Sequence, residues 1–133
     1  ILQLPVAAGA GSIFMTASYI GACVIVAGKR PPNRWLWNGF IVGFLSQTDP
    51  DDAYVHFVGV APEQRGSGLG RELYERFFEA AREAGRSTVR CVTSPVNETS
   101  IAFHEALGFE VDRVAADYDG PGEDRVLLLK RLG

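Results

Sequence analysis

The sequence predicts an α/β domain built on one mixed sheet, and three observations carry that prediction. The 133 residues, 47% apolar and 22% charged, suit one domain with its own core and leave little room for a second. Short apolar runs bounded by Gly, Pro and Asp clusters alternate with two stretches of helical periodicity. The longer helical stretch separates the apolar runs at 54–60 and 87–93, and parallel neighbours need a crossover of that kind.

Residues 1–28 carry no charged side chain. Within them, Thr16 to Ile20 and Cys23 to Ala27 read as strands parted near Gly21. A window from Gly9 to Ala27 is also nearly long enough for a membrane anchor, with Lys29, Arg30, Trp35 and Trp37 beyond its end. Its glycines and sparse Leu and Ile weigh toward strands. The KRPPN run at 29–33 breaks the chain, because paired prolines remove two backbone donors.

WLWNGFIVGFLSQ at 35–47 predicts a strand, with a division open at Asn38-Gly39, and TDPDD at 48–52 predicts a turn. YVHFVGV at 54–60 follows as a second strand. From Leu69 to Ala84 an apolar stripe of Leu69, Leu73, Phe77 and Ala80/Ala81 predicts a helix, with Glu72 and Arg76 paired four positions apart and Gly85 as terminator. STVRCVTS at 87–94 predicts a strand. Asn97 caps a helix from about Glu98, with Ile101 and Leu107 apolar and a stop at Gly108. The runs at 109–115 and 125–130 flank a Gly/Pro/Asp loop at 117–124 and predict an antiparallel hairpin.

A net charge of −3, with no acid before residue 49 and no basic stripe, argues against nucleic acid as a principal partner. Cys23 and Cys91 sit in apolar runs, outside any CxxC or Cys/His cluster. They read as reduced structural thiols in a cytoplasmic protein with no metal site.

The sharpest chemical feature is RGSGLG at 65–70, between an apolar strand and an amphipathic helix. Glycines there leave the first helical turn uncovered, so free N–H groups and the positive helix end can hold phosphate oxygens, with Arg65 adding a charge. The run has no Gly-Lys-Ser/Thr tail and lacks the GxGxxG spacing, which sets ATP and dinucleotides behind another phosphate-bearing ligand. A tight turn whose glycines serve packing alone is the alternative.

The run VGVAPEQRGSGLGRELYERFFEAAREAG, followed by TSPVNETSIAFHEALGF, resembles the GCN5-related N-acetyltransferase family. The resemblance covers about residues 40–132 of a single domain and is poor over 1–34, where that family supplies a strand and one or two helices. It implies the family's mixed sheet and direct acetyl transfer from acetyl-CoA to a primary amine, on a small molecule or a protein. It places Arg65, Gly66, Ser67, Gly68, Leu69 and Gly70 around the pyrophosphate and Val58 and Val60 beside the pantetheine arm. Asn97 falls where the family makes a polar contact to that arm. His104 stands where family members often carry a tyrosine acid.

An imidazolium at His104 would protonate the leaving sulfur and a neutral ring would donate one N–H, with Ser100 one turn earlier orienting it; a purely structural or surface histidine is the alternative. Strict alternation puts Tyr54, His56, Val58 and Val60 on one strand face. That makes His56 a candidate base with Tyr54 its hydrogen-bonding neighbour, or else a core histidine bonded to backbone, and Asp51 and Asp52 attractors of a cationic acceptor, or else a solvated turn. An acidic hairpin loop bordering the cleft would act the same way. Cys91 has no base beside it in sequence, which speaks against a covalent route. An inactive acyl-CoA-binding or interaction domain, a membrane-tethered enzyme and a homodimer remain open.

Overall fold

A computed structural model describes the strand backbones at 6–9, 12–19 and 22–29 and the chain from 36 onward, with side chains from residue 39. Among the described residues eight strands form one sheet: β1 (Val6–Gly9), β2 (Ser12–Tyr19), β3 (Ala22–Lys29), β4 (Leu36–Leu45), β5 (Asp52–Val60), β6 (Thr88–Thr93), β7 (Glu110–Ala115) and β8 (Arg125–Arg131). They lie in the order β1-β2-β3-β4-β5-β6-β8-β7. Helix α1 (Leu69–Glu83) joins β5 to β6, and α2 (Glu98–Ala106) joins β6 to β7.

The described residues of the uncharged beginning are strands: β2 and β3 pair antiparallel from Tyr19↔Ala22 to Ser12↔Lys29. The 9–27 window is therefore not a helical anchor, and among the described residues no helix is long and apolar enough to cross a membrane. Side chains before residue 39, including Cys23 and any apolar edge for self-association, lie outside the described residues.

β4 is one strand through Asn38-Gly39, and its register on β3 slips there between Ala27↔Gly39 and Gly28↔Trp37. β5 starts two residues earlier than the sequence suggests, because Asp52 is drawn into the sheet. Its carboxylate accepts from Arg90 Nε on β6 at 2.6 Å and it is 5% exposed.

α1 buries Leu73, Tyr74, Phe77, Phe78 and Ala81 against β3, β4 and β5, each large side chain contributing about 1.5–3 kcal/mol. The stripe read from sequence holds at Leu73, Phe77 and Ala81; Tyr74 and Phe78 widen it. Arg76 meets Glu79, at 3.6 Å.

Two irregularities position the site. β5 and β6 pair in parallel over only Asp52↔Thr88, Ala53↔Val89 and Tyr54↔Arg90. Beyond that, β5 from Val55 to Val60 keeps β4 on one edge and is unladdered on the other. The β4–β5 register also slips between Val42↔Phe57 and Gly43↔Val55, so His56 is an extra residue, a β-bulge.

Candidate active site

The bulge overturns the single-face reading of β5. Val58 and Val60 line a cavity of about 560 Å³ beside α1 and α2. Tyr54, His56 and Phe57 line another of about 780 Å³. This second cavity lies on the face away from α1: a Cβ on Gly43 would strike Phe77 of α1, so its neighbour Phe44 points the other way, where it stacks on Tyr54 at 5.2 Å. The two cavities lie on opposite faces of the stretch where β5 and β6 part.

In the first cavity the glycine-rich turn behaves as its composition suggests. Gly66 and Gly68 hold φ of +79° and +89°, a region that favours glycine. Arg65 and Ser67 amides bond back to Pro62 and Gln64 carbonyls. The first helical bond is Glu72 N–H to Gly68 carbonyl, at 3.0 Å. The amides of Gly66, Gly68, Gly70 and Arg71 are left without internal partners, at the positive end of a 15-residue helix. Arg65, Gly66, Gly68, Leu69 and Gly70 all line the cavity. Ser67 does not: its hydroxyl donates to the Gln64 carbonyl at 2.5 Å and braces the turn. Gly70 answers to packing as well, since a Cβ there would lie 3.1 Å from the Phe103 ring. Free amides, a helix terminus and Arg65 fit a diphosphate, and the unladdered edge of β5 offers backbone groups to an extended arm.

α2 forms the opposite wall. Asn97 Oδ1 accepts from Ser100 N–H at 3.1 Å, the cap read from sequence, and Asn97 also borders the cavity. His104, 5% exposed, has Nδ1 2.7 Å from the Ser100 carbonyl and Nε2 2.6 Å from the Tyr74 hydroxyl. A carbonyl only accepts, so Nδ1 carries the proton and Nε2 accepts from Tyr74. Burial pulls the imidazole below its usual value and drives the Tyr74 phenol up. The ring is neutral with its N–H spent, which leaves no proton aimed into the cavity. Ser100 does orient His104, chiefly through its carbonyl; its hydroxyl is 3.4 Å from Nδ1.

This geometry makes a stability prediction. Tyr74→Phe strands His104 Nε2 and is expected to cost about 1–3 kcal/mol, read as a lower urea midpoint. Because the folded pKa of His104 is lowered from 6.5, the unfolded chain takes up the proton first. The contribution is complete above about pH 6.5 and declines as the pH falls through that value toward the folded pKa. Urea midpoints from pH 8 to 5 should fall more steeply for the parent chain than for His104→Leu; parallel profiles would refute the buried neutral ring.

Asp52 is turned to structure instead of to an acceptor, whereas Asp51 is tied down by its backbone and keeps an exposed side chain. The Asp51 carbonyl takes Ser87 and Thr88 N–H groups, both at 3.0 Å, and Asp52 is the carboxylate held by Arg90. Tyr54 stays a phenol, since burial and then the Asp52 charge push its pKa up. Cys91 is buried and free, and burial pushes its thiol up to about 12, which suits a core residue and not a nucleophile. Sequence reasoning missed Gln64, Arg71, Thr99 and Phe103 on the first cavity's wall. It also missed Tyr74 as the partner of His104; the i, i+4 spacing to Phe78 was its available signal.

The profile of the Acetyltransferase (GNAT) family matches residues 18–109. The chain belongs to that family. The L-2,4-diaminobutyric acid acetyltransferase of Nocardia farcinica (strain IFM 10152) is 33% identical over 69 residues, 52% of this GNAT chain and 36% of that protein. The L-amino acid N-acyltransferase MnaT of Escherichia coli (strain K12) is 34% identical over 80 residues, 56% of this chain and 46% of that protein. The matched stretch thus spans less than half the length of either relative. Among solved structures, yncA of Salmonella typhimurium with its cofactor acetyl-CoA aligns with a TM-score of 0.67 and 24% identity, over 85% of this chain and 66% of that one, a likeness of fold.

Proposed function

We propose that this GNAT domain transfers acetyl from acetyl-CoA to a primary amine of a small molecule. One observation carries the reading: a cavity with free amides at a helix start and a cavity with an imidazole lie on opposite faces of the same open stretch of β5. Two of the relatives are named for small acceptors, 2,4-diaminobutyric acid and L-amino acids, which supports a small amine acceptor here.

In this reading Arg65 and the amides of Gly66, Gly68 and Gly70 hold the pyrophosphate, and Leu69 and Ser67 fix the turn. Val58 and Val60 flank the pantetheine arm, with Asn97 and Ser100 at its edge. When bound, acetyl-CoA supplies a thioester carbonyl carbon at which a C–N bond to the amine replaces the C–S bond, the sulfur leaving with one proton. His56, put on the acceptor face by the bulge, takes the proton that an ammonium must lose before its nitrogen has a lone pair to offer. Tyr54 and Phe44 pack the floor beside it. His104 is a wall and an anchor for α2, and water protonates the sulfur. The buried thiol of Cys91 suits a reducing, cytoplasmic setting.

A binding-only domain is the second reading, favoured by the spent N–H of His104. Calorimetric titration with CoA, and free-thiol release from acetyl-CoA across polyamines, aminoglycosides, amino acids and N-terminal peptides, separates the two. CoA uptake with amine-dependent thiol release is expected; uptake with no release above spontaneous hydrolysis would leave binding alone. His56→Gln is expected to lower kcat about 100-fold or more with CoA affinity unchanged. An unaltered kcat would remove His56 as base.

A further inference from the structure

The acceptor-face cavity has a chemical character of its own. Its floor is aromatic. Phe44 and Tyr54 stack at 5.2 Å, His56 and Phe57 lie with centroids 4.1 Å apart, and Tyr118 comes over from the β7–β8 loop. Phe57 is 58% exposed, Tyr118 49% and Phe44 41%, so three large rings present uncovered faces to one concave site. Apolar surface left open in a pocket suits a ligand with an apolar body.

The rim is acidic. The loop between β7 and β8 carries Asp117, Asp119, Glu123 and Asp124, against one guanidinium, Arg125, at the start of β8. Asp119 and Arg125 both line the cavity, so this loop borders the cleft. Arg125 is committed to the loop that precedes it. Its Nε donates to Asp119 at 2.7 Å, one amino group to Glu123 at 3.2 Å and the other to the Asp124 carbonyl at 2.9 Å. A carboxylate ligand reaching for Arg125 would join two carboxylates already seated there, inside a loop with surplus negative charge. An ammonium meets the opposite situation: the Asp119 carboxylate on the cavity wall, the rest of an acidic loop behind it, and the electron-rich faces of Phe and Tyr rings below.

We propose that this cavity accepts a primary amine on an aromatic or apolar body with no carboxylate beside the amine, in preference to the corresponding amino acid. The proposal rests on the acetyl-transfer reading above and narrows its acceptor. The amine arrives as the ammonium, which the rim attracts and the rings hold. It gives one proton to His56 before attack, and His56 passes that proton to solvent. A second is shed as the amide forms, so that the ammonium and thioester yield amide, thiol and one released proton.

Phenethylamine and phenylalanine form a matched pair differing only in the carboxylate. With acetyl-CoA present, kcat/KM for phenethylamine is expected to exceed that for phenylalanine at least 10-fold. Calorimetric binding of each to the protein without acetyl-CoA should show the same order, and that arm decides even if neither is acetylated. Asp119→Lys, on the exposed loop, should narrow the ratio at least fivefold with CoA affinity unchanged and the circular dichroism of the fold retained. Equal or better use and binding of phenylalanine, or a ratio that Asp119→Lys does not move, would overturn the proposal. Loss of the acetyl-transfer reading would instead show as CoA uptake without thiol release, with any amine.

Discussion

Gly68→Asp is expected to weaken CoA binding at least 100-fold while the protein stays folded. Gly68 sits at φ +89° just before α1 and lines the first cavity. A Cβ built there meets nothing within 4 Å, so the new side chain enters open space and the core is untouched. Aspartate also tolerates the left-handed region better than most residues, which keeps backbone strain small. What changes is charge. A carboxylate about 4 Å from a phosphate oxygen costs about 4 kcal/mol at an effective dielectric of about 20, and each 1.4 kcal/mol is a factor of ten in affinity. Screening reduces that figure and still leaves two decades. Gly68→Ala supplies the control: it introduces the strain without the charge and should lose far less. Calorimetry with CoA, beside thermal melts of all three chains, reads both effects. Retained affinity in Gly68→Asp would mean that the diphosphate does not sit on this turn.

The parts of this site that sequence makes legible are those set by local backbone chemistry. RGSGLG announces a turn with left-handed glycines and an uncovered helix start because only those residues leave amides bare. Asn97 announces a cap because its oxygen reaches Ser100 N–H without help from elsewhere in the chain. His56 was legible as a candidate by type and wrong in its company. The bulge that puts it on the face with Phe57, away from Val58, arises from how β5 registers on β4, and alternation within one strand carries no trace of a partner's slip. Asp52 failed for a related reason. Its partner, Arg90, is 38 residues away, and an aspartate after a Pro-Asp pair looks like turn chemistry until that ion pair is seen. The resemblance located His104 at the acid position, but its protonation is decided by Tyr74, one helix earlier, and by a backbone carbonyl that no composition argument reaches.

Gly43→Ala is expected to be the most destabilising single-methyl addition in the described core, because two unyielding neighbours crowd that point. A Cβ at Gly43 would overlap the Phe77 ring of α1 on one side and the Tyr54 backbone carbonyl on the other. Phe77 is 2% exposed, so its ring cannot swing toward solvent, and the carbonyl belongs to β5 just before the bulge. Accommodating the methyl means lifting α1 from the sheet or prising β5 from β4. Overpacking of this kind costs about 1–3 kcal/mol where side chains can adjust, and here backbone must move too, so a loss of about 3 kcal/mol or more is expected. For a chain of this size that corresponds to a Tm about 10 °C lower or more. Phe77→Leu in the same chain opens room on the helix side and should restore part of the loss, whereas Phe77→Leu alone destabilises. The signature is a non-additive double-mutant cycle measured by urea unfolding. Strict additivity would show that the methyl is absorbed elsewhere. An undiminished Tm for Gly43→Ala would mean that α1 does not press on β4 at this point, and the alignment of the glycine-rich turn with the open edge of β5 would lose its mechanical basis.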